Sequence, residues 1–421
     1  MRNLPNVYSS YCPGAPVLNG TPGSMLEVLR TCLVNGTAKV SFNNIVVLNG
    51  IATIKAVTEG QVYFNGSRIA IEGCDEPLLN VTVEVDSHTA QTFSFKTTVA
   101  DGTYGGSIKI NQPGAGWQIL FSGTNEAVFI SGNLDSLGVC VKVTDVNAYY
   151  TNLDFYENMT SLTAGVGKAD MAGMFDNTRM SRIAKSGFAN ANPIAWWLIA
   201  DNTNVHFAND RIDLGTTTPP LDFFLGGMPV SWGQFESFAD ADKKNFFYSG
   251  PKVLSTTITG AYDSTYVAGL GFFFNATPGD NNTHAIVLTD TMRNSRGWMK
   301  LYVSSCPNPY FNSTMVSGGT RGIRPSYKLN PNYIYSDYIF VANGPQRGEM
   351  LDSLMVGTIK ETKFINSSSW GQSKNFGIQT FNGKRYVCVP IYMYYSVRPN
   401  ASIDYTSLGV MPFLIGEKWG D

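Results

Sequence analysis

Between Lys39 and Val143 the chain alternates apolar and polar positions in brief runs. These are Val40 to Leu48, Ile51 to Val57, Arg68 to Glu72, Val81 to Val85, Thr92 to Thr98, Ser107 to Ile110, Trp117 to Phe121, Ala127 to Ser131 and Val139 to Val143. A period of two is the signature of a half-buried strand. Gly, Asn or Asp clusters separate the runs, as at Asn49-Gly50, Asn65-Gly66 and Asp101-Gly102, and such pairs accept the positive φ that tight hairpin turns need. The spacing predicts compact antiparallel barrel or sandwich modules, with a small β-barrel module at about 39–111.

One segment breaks the period. From Thr21 to Gly36 the residues Leu26, Leu29, Leu33 and Val34 recur at helical spacing, which predicts a short amphipathic helix over about 21–35 with Thr21 or Ser24 as its cap. Asn35-Gly36 tolerates left-handed backbone and ends it. From Met159 to Asn192 the periodicity fades into Gly, Ala, Met and Ser, with a short helix expected around Asp176 to Lys185.

The β pattern then resumes at Ala195 to Ala200, Thr203 to Ala208, Leu221 to Leu225, Lys252 to Ala261, Tyr266 to Asn275, His284 to Thr289 and Gly297 to Ser304. Tyr333 to Val341, Val356 to Phe364, Phe376 to Phe381 and Arg385 to Tyr395 continue it, and Asp201 to Asn204 reads as a hairpin turn. The absence of long intervening helices argues against βαβ alternation and against a TIM-type scaffold. The expectation is an all-β protein in three parts: an N-terminal β domain at 1–160, an irregular linker at 161–192, and a sandwich-like domain at 193–421.

Composition sharpens this in two ways. Charged residues are only 15% of the 421, against a usual quarter, and the formal charge is -2. Phosphate binding requires a basic excess, so no nucleic-acid partner is expected. Weakly charged strands instead favour surfaces that partners cover. The first residues, Met1 to Tyr8, lack the apolar run of a signal peptide, and no stretch approaches the length of a membrane span. The chain is expected to be soluble where it is made, without membrane insertion. Asn-x-Ser/Thr triplets such as those at Asn19 and Asn400 are then read as a product of the Asn- and Thr-rich composition.

Candidate chemistry is sparse. His88, His206 and His284 fall in separate β regions, each expected to line or end a strand. No GxSxG elbow, HExxH or Cys/His cluster is present. Gly165-Val-Gly-Lys168 lacks the upstream glycine of a phosphate loop, and Asp240-Ala-Asp242 lacks the closing Gly and Glu of a calcium loop. The chain is therefore expected not to be an enzyme and to need no cofactor or metal. The six cysteines include Cys12, Cys32, Cys74 and Cys140 in the first 140 residues, among which a disulfide stays open.

Pro13 to Leu29 carries a PGAP-x-L-x-G-T-x-GS pattern, and together with the blocks that follow it in order it resembles conserved virion structural proteins of tailed bacteriophages and prophages. Gly73, Asn80, Thr92-Phe-Ser-Phe95 and Gly106 look like a small β module of tail and baseplate proteins, although Val81 stands where a Gly follows the Asn. Gly116 to Phe129 resembles the GW-x3-FSGTN block, and Trp197 to Phe207 a Trp-initiated hairpin. Gly226 to Tyr248 and Arg347 to Leu351 match more loosely.

The resemblance implies a structural component of the virion, in the tail, the head-tail connector or the capsid surface. Its partners would be copies of itself in a symmetric ring or array, and other tail or capsid proteins. The virion would be assembled from chains made in the bacterial cytoplasm. A host-surface or glycan-binding adsorption module is the alternative, and a polysaccharide depolymerase the third. Three residues are the candidate contacts. Trp196 and Trp197 alternate across one strand, so one is expected to face the core and the other the solvent or a neighbouring subunit. Trp117, beside Gly116, is expected to pack a strand corner or to serve as a stacking platform.

Overall fold

The computed structural model describes residues 6–64, 66–169, 181–186, 188–209, 230–237 and 240–251, together with strands at 283–289, 297–301, 303–304, 339–341, 350–351, 377–381, 384–392 and 408–415. It is an all-β protein of antiparallel sheets, and among the described residues it holds one α-helix, only seven residues long. Among these residues no helix is long and apolar enough to cross a membrane.

The chain starts with β1 (Asn6–Ser9) and then α1 (Ser24–Arg30), which runs on through a π-helical turn at Thr31–Asn35. Ser24, Met25, Leu26, Val28, Leu29, Thr31, Cys32 and Leu33 are all buried, so the helix is enclosed on nearly every side and not merely docked by one stripe. The expected caps are absent. Gly23 occupies the N-cap in left-handed backbone, with no side-chain cap, while Thr21 Oγ1 donates to Asn19 Oδ1 and Ser24 Oγ to the Asn19 carbonyl. The helix stops as expected at Gly36, whose φ is 80°.

Nine strands follow: β2 (Val40–Ser41), β3 (Ile45–Leu48), β4 (Ile51–Lys55), β5 (Arg68–Cys74), β6 (Thr82–Glu84), β7 (Ser87–His88), β8 (Thr92–Lys96), β9 (Gly102–Tyr104) and β10 (Gly106–Asn111). They form a four-stranded sheet, β2-β10-β5-β6, and a five-stranded sheet, β7-β8-β4-β3-β9. Ile45, Val47, Ile54, Phe93 and Phe95 of one sheet meet Ile69, Ile71, Ile108 and Ile110 of the other in a single core. The module at 39–111 is thus a sandwich and not the closed barrel expected. No strand of one sheet pairs with a strand of the other among the described residues, and the chain passes between them at Gly106, whose φ of 117° and contact with the Gly73 backbone leave no room for a side chain. There the chain switches from the β9 sheet to the β10 sheet instead of bridging them, as glycine corners allow.

The next six strands are β11 (Trp117–Ser122), β12 (Glu126–Ser131), β13 (Cys140–Thr144), β14 (Tyr150–Met159), β15 (Gly165–Lys168) and β16 (Ser181–Ala184). They form one sheet in the order β11-β12-β13-β14-β15, with β16 also on β14. The segment expected as an irregular linker therefore supplies two strands to this sheet, and Ser181–Ala184 is a strand where a helix was expected. Residues 170–180, which include the first part of that expected helix, lie outside the described residues.

The largest sheet runs from β1 through β17 (Trp196–Ala200), β18 (Asn204–Asn209), β19 (Val230–Ser237), β20 (Asp240–Pro251), β21 (Thr283–Thr289) and β22 (Gly297–Leu301). It takes its first strand from the N-terminus, so the expected cut between 160 and 193 crosses paired strands. Strands Gly377–Phe381, Lys384–Tyr392 and Leu408–Ile415 make a separate antiparallel sheet. The strands expected at Leu221 to Leu225, Lys252 to Ala261, Tyr266 to Asn275 and Val356 to Phe364 lie outside the described residues.

Candidate functional site

Trp196 and Trp197 do point to opposite sides of β17, but both are buried, at 0% and 2% exposure. Trp197 and Ile199 enter the sandwich core with Val7, and Trp196, Leu198 and Ala200 enter a second core with Tyr8. The expectation of an outward Trp is corrected on this physical ground: β17 is a wall shared by two cores, so neither of its faces meets solvent. Trp196 Nε1 donates to the Pro16 carbonyl at 3.2 Å.

Trp117 is buried as well, at 3% exposure, and its Nε1 donates to the Asp201 carbonyl at 2.8 Å. It serves as a packing peg, not a platform open to a ligand. The hairpin turn it meets is closed by Asp201, whose Oδ1 accepts from the Thr203 and Asn204 amides at 2.6 and 2.7 Å and from Thr203 Oγ1 at 2.8 Å. Ser131 Oγ donates to the Asn202 carbonyl, and Gln234 Oε1 accepts from the Leu137 amide. The turn of β17–β18 is thereby locked onto the β11–β12 sheet.

Sequence reasoning missed the most unusual charged group. Asp145 and Lys185, both fully buried, form an ion pair with Nζ 2.6 Å from Oδ1. Thr151 Oγ1 donates to Oδ1 at 2.9 Å, and Oδ2 accepts from the Met25 and Leu26 amides at 2.9 and 3.2 Å. Lys185 Nζ also donates to the Thr21 carbonyl at 2.8 Å. Asp145 thus supplies from 120 positions away the cap that Thr21 and Ser24 were expected to give. Burial is the main influence on the Lys185 ammonium and pushes its pKa down, with Asp145 opposing. No sequence signal marks this pair, since neither residue stands in a charged run and the partner lies in the segment with weakest periodicity.

Cys12, Cys32, Cys74 and Cys140 are free buried thiols, so the open disulfide does not form. Burial holds Cys12 up at about 12 and drives Cys32 well above its usual range, which makes both poor nucleophiles. His88 lies on β7 and meets the Phe64 ring edge-on at 5.1 Å. Burial lowers its pKa to about 4. His206 and His284 lie on β18 and β21. Gly165 to Lys168 is the edge strand β15, not a loop, and Asp240 opens β20. Among the described residues no group of three or more His, Cys, Asp or Glu is placed to hold a metal ion.

What faces solvent instead is the outer side of the five-stranded sheet. The register aligns Thr103, Val46, Thr53, Ser94 and Ser87 in one row across β9, β3, β4, β8 and β7. Beside it Leu48 and Ile51 pair directly and stand 61% and 38% exposed, with Lys96 next to Ile51. This face carries apolar and hydroxyl side chains together with Lys55 and Lys96, and it rests on the packed core beneath it. No protein-family model, curated protein or solved structure matches the chain.

Proposed function

We propose that the chain is a structural component of a tailed-phage virion that associates laterally with copies of itself and with other tail or capsid proteins. The observation that carries this reading is the outer face of the five-stranded sheet. Val46, Leu48 and Ile51 stand exposed on it, in register with the Thr and Ser row. Val46, Leu48 and Ile51 form an apolar strip that association would cover, with Lys55 and Lys96 at its margin left to pair with a partner's acidic groups, and symmetry multiplies the area buried when one contact repeats around a ring. The motif order from Pro13 to Trp197 supplies the virion context. The contact residues are thereby moved from the tryptophans to Val46, Leu48 and Ile51.

Light scattering and sedimentation of the full chain test the proposal. Mass is expected to rise with concentration, and Leu48→Asp with Ile51→Asp is expected to hold the chain monomeric with an unchanged circular-dichroism spectrum. A wild-type chain that stays monomeric at high concentration and leaves this face uncovered in an assembled particle overturns it. Release of reducing sugar from host polysaccharide would replace it with the depolymerase reading.

A further inference from the structure

The Asp145–Lys185 pair has more order than an ion pair needs. Both side chains are fully buried, so each charge has exchanged water for a handful of fixed groups. Removing two charges from water costs several kcal/mol per ion even after relaxation. The pair has the composition of a condensation: an amine, a carboxyl carbon, and separate partners for each carboxyl oxygen. Oδ2 is held by two backbone amides, Met25 and Leu26, while Oδ1 is held by Thr151 Oγ1 and by Lys185 Nζ itself.

We propose that Lys185 and Asp145 join in an intramolecular amide, a covalent cross-link between the end of β13 and the end of β16. The balance closes within the pair. The ammonium passes one proton to Oδ1, giving a neutral amine and a neutral acid. The Nζ lone pair then attacks Cγ, and the Nζ–Cγ bond forms as charge builds on Oδ2. That oxygen already faces the Met25 and Leu26 amides, the arrangement that stabilises an oxyanion. Nζ gives a second proton to the Oδ1 hydroxyl, the Cγ–Oδ1 bond breaks, and Oδ1 leaves as water. No oxidant, reductant or other co-reactant enters.

The site is also built for the product. The one hydrogen left on Nζ keeps the Thr21 carbonyl as its acceptor, and the remaining carbonyl oxygen keeps both helix amides. Condensation removes two buried charges and leaves every polar atom of the new amide with a partner, which is the condition buried polar groups must meet. The drive toward a neutral amine agrees with the lowered Lys185 pKa, whose first cause is burial. The backbone of the lysine is pinned meanwhile: its amide donates to the Tyr149 carbonyl, and its carbonyl accepts from Asn209 Nδ2.

Intact mass of the full chain under denaturing conditions tests this. The expected result is a chain one water lighter than its sequence mass, with fragmentation placing the loss on a branched peptide that joins residue 185 to residue 145. The Lys185→Arg chain is expected to return to its full sequence mass. A wild-type chain at full sequence mass overturns the proposal, and so does a water loss mapped to any other residues. The wild-type measurement decides alone, whether or not the variant folds, and it is independent of any assembly.

Discussion

The two sides of β17 enter cores that hold together differently. On the Trp197 side, most of the residues come from one stretch of chain, 42–110, and aromatic edges do much of the packing. Phe93 meets Phe42 and Tyr63 at 5.6 and 5.2 Å, both edge to face, and Phe64 tilts onto Trp197 at 5.0 Å. On the Trp196 side, one core gathers Tyr8, α1, the β11–β14 strands and residues as far away as Tyr248. Alongside it lies a buried ion pair that ties 21–26, 145–151 and 185 together. The first core could assemble from local hairpins. The second needs partners of high sequence separation, and loop closure makes those contacts the costlier ones to form.

The comparison breaks first at the shared wall. Trp196→Ala and Trp197→Ala should each lower stability by about 3–5 kcal/mol, since each empties a large volume in a different packed core. Urea unfolding of both variants checks this. If either substitution shifts stability by less than about 0.5 kcal/mol, that tryptophan faces solvent and β17 is not a wall.

A loss of the same order is expected at the ion pair. Lys185→Met removes the cross-link and leaves the Asp145 carboxylate buried with no countercharge, which costs about 3–5 kcal/mol. The loss should appear in the second core before the first. Amide exchange should speed up over Met25 to Leu33 while the β3, β4 and β8 amides keep their protection, because the helix loses the group that orients its cap. Uniform loss across both cores would show that they unfold as one unit.

The same contrast explains what could be read from the sequence. The sandwich core was legible from Ile45, Val47, Ile54, Phe93 and Phe95, inward at every second position on a sheet with one wet face, although Val46 and Leu48 leave β3 apolar throughout and the short strands β7 and β9 were not expected. The helix was legible from Leu26, Leu29 and Leu33. Its cap was not, since capping rules look within a few residues and Asp145 reaches in from another strand. β14 escaped because its inward positions include Thr151 beside Leu153 and Phe155, which weakens the apolar alternation. Trp196 and Trp197 were placed on opposite faces correctly and given the wrong surroundings. Period two says that faces differ, not that one is wet, and a strand buried on both faces reads as a continuous apolar run, Trp196 to Ala200.

A pH titration separates the cores by a smaller margin. His88 packs on Phe64, part of the first core, and its pKa falls from 6.5 unfolded to about 4 folded. Between those values the unfolded chain binds more protons, so stability is retained in full above 6.5 and declines as pH drops toward 4. The loss should reach roughly 3 kcal/mol at most, at about 1.4 kcal/mol per pKa unit. Urea midpoints for wild type and His88→Gln across this range check it, and parallel curves would remove His88 from the first core.

The smallest effect tests the two faces of one strand with one chemical change. Ile51 and Ile54 both lie on β4, the first on the outer face and the second inside the sandwich. Deleting a methyl inside removes packed contacts that the core refills only in part, so Ile54→Val should cost about 0.5–1.5 kcal/mol. The same deletion at Ile51 opens no cavity and should stay within about 0.5 kcal/mol for the isolated chain. Should Ile51→Val prove the costlier in dilute monomer, the register would be one residue out, because a slip of one position exchanges every side chain between the two faces. A cost at Ile51 that emerges only as concentration rises would instead mark that face as the covered one.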